Sequence, residues 1–430
     1  MLSVLSTFKD EDVVIVQDNN IITKEFFEKY SNYIAYLVEN NFPKNEIIGI
    51  KSDNNALGLA LIIGVIKSGR DALPISTINN GSINDYLIDN TNCKHFIGYG
   101  TDIDHSVITN FQDIKYKKNK NFGSIIISSS GSTGVPKITL FNPLFKQKKD
   151  VIKRKKMMTS RIGKKYKSIF YSAPMMSGCM VYFNIWQFGV SIFATNEKPS
   201  INLINDIILK NNIKMTSLRP SMIDRFILEG ADSISNAEII MTAGAPLTNS
   251  QIKYCRDTLN IKHIVDCYAT TECGIIAMRD AINEENFELF PAVKIKSFNE
   301  NGTVIEHSQT IGFWDNKKLK KTSTRFIDDI IELNDNKIKL LGRKSKKIKV
   351  NGFSIPSELV RQSVLEISGV SDCKVFASGA KNSSDILNLE YTGKNLNDID
   401  ILNSLSEKLP FYCIPQKIKY TPNYYWGLAK

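Results

Sequence analysis

Short apolar runs alternate with segments of helical periodicity over the first hundred residues. The runs predict buried strands, and they are residues 13–17, 47–50 and 95–98. A capping threonine, Thr23, precedes aromatic and aliphatic residues that recur at helical spacing from Phe26 to Val38, which predicts a helix. Residues 55–68 predict a second helix that ends at Gly69. This alternation predicts an α/β fold with a mainly parallel sheet.

A loop of small and hydroxylated residues follows the next predicted strand, Ile125–Ile127. Its sequence is Ser128-Ser129-Ser130-Gly131-Ser132-Thr133-Gly134-Val135-Pro136-Lys137. Backbone N–H groups, hydroxyls and a lysine at the carboxyl end of a parallel strand suit a polyphosphate. A Ser-rich surface turn is the alternative interpretation. The loop is not a Walker P-loop, because Val135 and Pro136 separate Gly134 from Lys137.

The composition indicates a multidomain protein with buried cores. The chain has 430 residues, of which 42% are hydrophobic, and this length predicts two or three domains. Its 55 basic and 44 acidic residues give a net charge of +11, which indicates either an anionic partner or a coding bias toward lysine. The cysteine number is odd, at seven, and no Cys-x-x-Cys pair occurs. These features argue against a disulfide framework or a structural zinc site and favour the cytoplasm.

We expect neither a signal peptide nor a membrane span. Charged residues from Lys9 to Asp12 come too early for a signal peptide. The most apolar run, residues 56–66, is about half of the length needed to cross a bilayer.

The sharpest charge asymmetry lies between Lys146 and Lys167, where eleven lysines and arginines accompany one acid, Asp150. A solvated helix face is one interpretation. The other is a docking surface for an acidic carrier protein or for the phosphates of coenzyme A. No nucleic-acid recognition module is evident, so a nucleic-acid partner is not expected.

The loop from Ser129 to Lys137 resembles the phosphate loop of the adenylate-forming (AMP-binding) superfamily. This superfamily includes acyl- and aryl-CoA synthetases, adenylation domains of nonribosomal peptide synthetases, and luciferase. Two later strings are similar to other superfamily motifs, namely Thr242-Ala243-Gly244-Ala245-Pro246-Leu247 and Tyr268-Ala269-Thr270-Thr271-Glu272. The resemblance covers essentially the whole chain.

The resemblance implies a binding site for ATP and Mg²⁺. In it, Tyr268 stacks on adenine, Thr271 bonds the α-phosphate and Glu272 holds the metal. The other implied nucleotide-binding residues are Ser129, Ser130, Gly131, Ser132, Thr133, Gly134 and Lys137 in the phosphate loop, and Gly244, Ala245 and Pro246 in the adenine pocket.

An acidic pair, Asp328-Asp329, occupies the place of the superfamily's ribose-binding Asp. We assign the ribose hydroxyls to Asp329, with Asp328 as the alternative and a solvated acidic turn as a third interpretation. A turn is expected at residues 334–336. Downstream, Arg343 matches the superfamily arginine that contacts ribose and phosphate, a role that suits a permanently charged group with forked donors.

Residues 168–190 predict a strand, a turn and an apolar helix, which in the superfamily form a wall of the acyl pocket. Where amino-acid-activating members carry an Asp, this chain has Met176, and an apolar side chain cannot pair with an ammonium group. The resemblance therefore favours an aliphatic or aromatic acid over an α-amino acid. The implied pocket residues are Met176, Ser177, Cys179, Met180, Thr242 and Ala243.

The middle of the chain is shorter than in most superfamily members. Between Met278 and Phe326, strand signals are expected only at residues 293–295 and 303–305, around a turn at Asn301-Gly302. Residues 311–314 are expected to form a turn.

The last 87 residues are expected to form a separate domain. The predicted division is residues 1–343 for ATP and carboxylate binding and residues 344–430 for a mobile domain, with Ser345 at the hinge. The fold class is thus α/β, with a large N-terminal domain of parallel-sheet αβ subdomains and a small α+β C-terminal domain. The final residue, Lys430, is either the lysine that catalyses adenylation or an ordinary charged terminus.

The implied activity has two steps. A small carboxylic acid and ATP–Mg²⁺ give an acyl-AMP and pyrophosphate, and a thiol of coenzyme A or of a carrier protein's phosphopantetheine then accepts the acyl group. Two alternatives stay open. One is a degenerate relative that binds a nucleotide or acyl-AMP without turnover, and the other is an amide-forming ligase with an amine acceptor.

Overall fold

A computed structural model describes most of the chain. The described residues are 5–17, 20–52, 56–75, 81–104, 111–114, 116, 121–128, 136–142, 148–162, 168–170, 178–194, 200–229, 234, 236–244, 247, 249–299, 302–343, 348–350, 353–355, 357–378 and 386–422. Within these residues the helices are α1 (Lys24–Asn41), α2 (Ala56–Lys67), α3 (Gly81–Thr91), α4 (Lys148–Ile162), α5 (Gly178–Gln187), α6 (Ile201–Lys210), α7 (Pro220–Leu228), α8 (Asn249–Asp257), α9 (Ser357–Leu365) and α10 (Asp398–Lys408), and a 3₁₀ turn covers Phe411–Cys413.

Strands alternate with these helices in the first half of the chain and dominate the second half. Those before residue 271 are β1 (Val13–Gln17), β2 (Asn20–Thr23), β3 (Ile47–Lys51), β4 (Asp71–Ile75), β5 (His95–Gly98), β6 (Ile103–Asp104), β7 (Ile125–Ser128), β8 (Ile138–Phe141), β9 (Ser168–Phe170), β10 (Ser191–Ala194), β11 (Met215–Ser217), β12 (Ile239–Ala243) and β13 (His263–Thr270). Those after it are β14 (Gly274–Asp280), β15 (Phe287–Leu289), β16 (Val293–Asn299), β17 (Gly302–His307), β18 (Thr310–Asp315), β19 (Lys318–Lys321), β20 (Thr324–Ile327), β21 (Asp329–Asn334), β22 (Lys337–Arg343), β23 (Ile348–Val350), β24 (Phe353–Ile355), β25 (Val370–Ser378), β26 (Ile386–Gly393) and β27 (Lys417–Tyr420).

Two large sheets organise the first 343 residues. One has eleven strands in the order β2-β1-β10-β9-β11-β12-β13-β14-β15-β22-β21, and it is parallel from β1 to β13. The other has eight strands in the order β19-β18-β8-β7-β4-β3-β5-β6, and it is parallel from β7 to β6. These parallel cores confirm the predicted α/β class.

The local signals read from the sequence reappear in the first helix. The Thr23 side chain accepts a hydrogen bond from the Phe26 N–H at 3.3 Å, which caps α1 as expected. On the inner face of α1, Phe27 meets Trp186 edge to face at 5.3 Å between ring centroids. Trp186 is fully buried and its Nε1–H donates to the Val14 carbonyl, so α1, α5 and β1 share one core.

The middle of the chain contains more strands than the sequence predicted. Five strands, β16 to β20, lie between residues 293 and 327, where two short ones were expected. The expected turn at 311–314 is wrong, because these residues lie in β18, which pairs with β8 of the eight-stranded sheet. Cross-strand pairing stabilises these strands, and the periodicity of their own sequences carries little signal of that pairing.

Residues beyond 348 have a hydrophobic core of their own. Its centre includes Val360, Leu389 and Leu405, from α9, β26 and α10. The antiparallel pair β25–β26 and the parallel pair β26–β27 form its sheet, which fits the predicted α+β arrangement. Across the described residues, no helix is both long enough and apolar enough to cross a membrane.

Candidate active site

The predicted Tyr268–Glu272 string lies on a β-hairpin. Strands β13 and β14 pair antiparallel, and residues 271–273 form the turn between them. The Cys273 N–H donates to the Thr270 Oγ1 at 3.1 Å, and Gly274 takes a φ of 73°, which glycine adopts without steric cost. The turn places the Glu272 carboxylate at the hairpin's tip, with 13% of its side chain exposed.

Lys137 connects this turn to the eight-stranded sheet. Its Nζ lies 3.4 Å from the Oε1 of Glu272. Lys137 directly precedes β8, which forms a hairpin with β7, and the predicted phosphate loop is the connection between these two strands. The carboxylate of Glu272 therefore lies beside the end of that loop.

The other end of the same string contacts an acid from β21. The Tyr268 hydroxyl donates to the Asp329 Oδ2 at 2.6 Å, and both residues are buried. The Thr303 hydroxyl donates to the Asp329 carbonyl, also at 2.6 Å, and so fixes the start of β21. Asp328 is half-buried beside it. This contact distinguishes the two acids, because Asp329 is the one held against Tyr268.

The strands β21 and β22 bring Asp329 and Arg343 to opposite positions in a hairpin. The expected turn at residues 334–336 closes this hairpin, with Asp335 at a φ of 53°. For Arg343 the backbone is described and the side chain is not. The pairing places its Cα next to that of Asp329 at the edge of the eleven-stranded sheet.

The carboxyl end of β12 lies beside β13. Ala243 pairs with Cys267, the neighbour of Tyr268, and Thr242 pairs with Asp266. Thr242 is 1% exposed, Ala243 is half-buried, and Gly244 follows at a φ of 97°. These small residues lie at the carboxyl end of a parallel strand, where ligands of parallel sheets bind.

Two further observations concern the chemistry that the groups at this turn could carry out. Burial raises the pKa of the Cys273 thiol to about 12, so this cysteine stays protonated and is not a nucleophile at neutral pH. In the part of the chain that the structure describes, no cluster of three His, Cys, Asp or Glu side chains could hold a metal ion by itself. A Mg²⁺ ion at Glu272 would take its other ligands from phosphate and water, which is the usual way in which proteins bind it.

No family model matches the chain. Among curated proteins it is similar to gramicidin S synthase 2 of Brevibacillus brevis, with 20% identity over 95% of this chain and 10% of that protein. It is also similar to zwittermicin A synthase ZmaJ of Bacillus cereus, with 21% identity over 94% of this chain and 87% of that protein. A protein named as a long chain fatty acid-CoA ligase of Staphylococcus haemolyticus is 24% identical over 52% of this chain and 50% of that protein. The chain thus spans about a tenth of the length of the first of these relatives.

Solved structures show the same fold. O-succinylbenzoate CoA synthetase from Bacillus subtilis matches with a TM-score of 0.79 at 14% identity, over 98% of this chain and 95% of that chain. An amide bond synthetase from Marinactinospora thermotolerans also matches at 0.79, with 13% identity over 97% and 94%. A fused adenylation–PCP di-domain from Klebsiella oxytoca matches at 0.76, with 16% identity over 95% and 90%.

The solved structures therefore share the fold of this chain, and the curated relatives are similar to it in sequence at 20–24% identity. The described geometry brings together four of the residues that the sequence singled out: Lys137 and Glu272 at one end of the hairpin, and Tyr268 and Asp329 at the other. Several other predicted residues lie outside the described ones, namely Ser129, Ser130, Gly131, Ser132, Thr133, Gly134, Met176, Ser177, Ala245, Pro246, Ser345 and Lys430. Cys179 and Met180 lie in α5, where only their backbone is described.

Sequence reasoning missed one charged residue beside the Tyr268–Glu272 hairpin. Arg325 of β20 is 8% exposed, and its guanidinium carbon lies 4.0 Å from the ring centroid of Phe313. The alternation of β20 contains a signal for it, since Arg325 and Ile327 share the buried face while Phe326 points to solvent. Burial lowers the pKa of Arg325, and electrostatic interactions with Cys273 and Glu272 oppose that shift.

Proposed function

We propose that the chain is an ATP-dependent ligase that adenylates a carboxylic acid, with release of pyrophosphate, and then transfers the acyl group to a thiol. One observation carries this proposal: the Tyr268–Glu272 hairpin holds Asp329 at one end and Lys137 at the other. A nucleotide needs its sugar and its phosphates bound at separate points. A carboxylate for the ribose at one end and a cation for phosphate at the other end meet that requirement.

The nucleotide would lie along this hairpin. Asp329 accepts the ribose hydroxyls, Tyr268 contacts the adenine next to Gly244, and Thr271 and Lys137 contact the phosphates. In the described state Lys137 pairs with Glu272. Phosphate oxygens would replace that carboxylate at Lys137, which leaves Glu272 to hold Mg²⁺ together with the phosphates. The bound ion supplies positive charge that neutralises the triphosphate.

The first chemical step is a displacement at the α-phosphorus. A carboxylate oxygen of the acid forms the new P–O bond while the bond to the β-phosphate breaks, and pyrophosphate leaves with the electron pair. No side-chain nucleophile is needed, so the protein acts by position and charge. We assign Lys430 to the α-phosphate and the substrate carboxylate, and Arg343 to ribose and phosphate, on the resemblance of the sequence alone.

We propose an aliphatic or aromatic acid as the substrate. Met176 stands where a cationic substrate would need an acid, and the described strand end at Thr242 and Ala243 contains no charged side chain. The relative named as a fatty acid-CoA ligase supports this class. The relatives named gramicidin S synthase 2 and zwittermicin A synthase ZmaJ are not named as fatty acid ligases, so α-amino acids are the necessary comparison.

For the acceptor we propose a phosphopantetheine thiol, carried by coenzyme A or by an acidic carrier protein. Helix α4 supports the carrier, because its buried face packs inward through Met157 and Met158 while Lys153, Lys155 and Lys156 are exposed. Ile152 lies one turn before two of these lysines and is 60% exposed. A cationic helix face with an apolar centre fits an acidic protein surface. The adenylation–PCP fusion among the structural neighbours agrees with such a partner.

An amine acceptor is the second candidate, because an amide bond synthetase shares the fold at a TM-score of 0.79. We place the activity in the cytoplasm, since six buried cysteines in the described residues form no disulfide. The proposed division at residue 343, with a hinge at Ser345, separates the residues of the nucleotide site from the small core beyond residue 348.

Pyrophosphate–ATP exchange against panels of fatty, aryl and α-amino acids tests the first step. We expect exchange with one of the first two panels. If ATP binds and no acid supports exchange, the ligase proposal is wrong and the degenerate binding relative replaces it. Product analysis with coenzyme A, a phosphopantetheinylated carrier protein or simple amines then identifies the acceptor.

A further inference from the structure

Arg325 differs from the other buried arginines in what it contacts. Arg70 donates to backbone carbonyls, Arg154 to Gln309, and Arg161 to two glutamates. Arg325 stacks on Phe313, yet within the described residues it makes no hydrogen bond, and no carboxylate lies within 4 Å of its guanidinium. It is a buried cation whose described contact is with an aromatic face.

An aromatic ring can interact with the positive charge of a guanidinium but does not accept its in-plane hydrogen bonds. It attracts the positive charge through its face, whereas the five N–H donors point outward in the guanidinium plane. Arg325 is 8% exposed, so water or an incoming anion can reach these donors. The stacked ring also fixes the plane of the donors, which reduces the entropy lost when an anion binds.

The surroundings of Arg325 indicate which anion this is. Phe313 lies in β18 opposite Thr139 of β8, two residues after Lys137. The electrostatic neighbours of Arg325 are Glu272 and Cys273, in the turn that Lys137 contacts. Arg325 and Lys137 are thus two cations close to the same carboxylate, at the end of the predicted phosphate loop.

We propose that Arg325 is a further phosphate-binding residue, whose donors bind the β- or γ-phosphate oxygens of ATP. The inference rests on the proposed function, because it assigns a ligand group to the same site. Arginine suits this role because its planar fork of donors matches two oxygens of one phosphate. The acid substrate brings a second anion, its carboxylate, to the same site. If Arg325 bound that carboxylate instead, a substitution of Arg325 would not change the affinity for the nucleotide.

Calorimetric titrations of ATP, AMP and inorganic pyrophosphate, each with Mg²⁺, test the assignment in wild type, Arg325→Met and Arg325→Lys. We expect Arg325→Met to raise the Kd of ATP and pyrophosphate by about 10-fold or more, as for a lost charge-assisted hydrogen bond. The Kd of AMP should stay at the wild-type value. Arg325→Lys keeps the charge without the fork and should give a smaller loss, and it replaces the Met variant if that one does not fold.

Arg154→Lys is the matched control, since Arg154 is also buried and stacked, at 3.9 Å from the Phe290 ring. It should leave the affinities for all three ligands unchanged. Equal weakening of ATP and AMP, or no weakening of either, would overturn the assignment of Arg325. Failure of the wild-type protein to bind ATP and AMP would instead refute the proposed function, so the two failures are distinguishable.

Discussion

The hydroxyl of Tyr268 donates a 2.6 Å hydrogen bond to the carboxylate of Asp329, across 61 residues of sequence. Both side chains are buried, so water does not compete for the contact. The bond fixes the carboxylate in the position where the proposed ribose hydroxyls would meet it. It also ties the strand that ends in the Glu272 turn to the start of β21.

Tyr268→Phe should weaken nucleotide binding with a modest loss of stability. The phenylalanine keeps the ring and removes the donor, which leaves the buried carboxylate without this hydrogen bond. We expect about 1–3 kcal/mol less unfolding free energy and a several-fold higher Kd for AMP, by denaturant titration and calorimetry.

Tyr254→Phe is its control, because the Tyr254 hydroxyl donates to the Phe226 carbonyl at 3.0 Å, in the separate core between α7 and α8. It should cost stability without a change in AMP affinity. Equal AMP affinity in the two variants would contradict a role for Tyr268 in nucleotide binding.

Lys137→Ala should abolish most exchange activity while the fold stays intact. The Lys137–Glu272 pair is partly exposed, with 35% and 13% of the two side chains accessible, so the pair contributes about 1 kcal/mol or less to stability. Its proposed contact with phosphate charge in the transition state is worth about 100-fold in rate or more. The measurements are exchange kinetics and thermal unfolding.

Lys214→Ala gives a matched comparison, because Lys214 is equally exposed and lies 3.5 Å from Glu238 at a different part of the protein. It should leave exchange unchanged. If both lysine variants retain full exchange, Lys137 has no part in the reaction.

His307 should make the protein more stable as the pH rises from about 3 to 6.5. Burial, with a smaller contribution from the charge of Arg154, lowers the pKa of this imidazole to about 3. Below pH 6.5 the unfolded chain therefore binds a proton that the folded chain does not bind, and acid destabilises the fold. The neutral ring is held by the Gln309 N–H, which donates to Nδ1, and by the Ile275 carbonyl, which accepts from Nε2.

His307→Gln removes this titration and retains an amide that can donate and accept. Its unfolding free energy should rise less steeply between pH 4 and 6 than that of the wild type. Asp266 acts in the opposite sense, since burial raises the pKa of its carboxyl to about 6 and stability then falls as the pH rises through that range. An unchanged slope in His307→Gln would show that the imidazole titrates normally in the folded protein.

Charge reversal on α4 should affect a carrier protein as the thiol acceptor but not coenzyme A, and so should distinguish between the two. In a variant with Lys153, Lys155 and Lys156 changed to glutamate, we expect a KM for an acidic carrier protein about 10-fold higher or more, because like charges then face each other. The KM for coenzyme A should not change. Steady-state thioester formation measures both values.

A control with the same change in net charge reverses Lys294, Lys318 and Lys337, which are exposed on strands. It should leave the carrier KM at the wild-type value. If both triple variants raise it equally, net charge rather than the α4 face attracts the carrier. If neither does, the α4 lysines form a solvated surface.

The parallel strands and the helices between them were predictable because their signals are local. Residues 125–127 are an apolar run that forms a buried strand, and the Thr23 cap depends on its nearest neighbours. The strands β18, β19 and β20 were missed, since their short sequences acquire strand structure through partners in two different sheets. Local pattern carries no information about those partners.

For the candidate site, the sequence by itself determined the residue types: an intact Ser/Gly loop, a Tyr-x-x-Thr-Glu string and an acid upstream of Arg343. Only the tertiary structure determines which of these residues are in contact. In it, Lys137 pairs with Glu272, Tyr268 donates to Asp329 and not to Asp328, and Arg325 is buried against Phe313. These contacts depend on the register of strands from two sheets, and register is set by the packing of the whole domain.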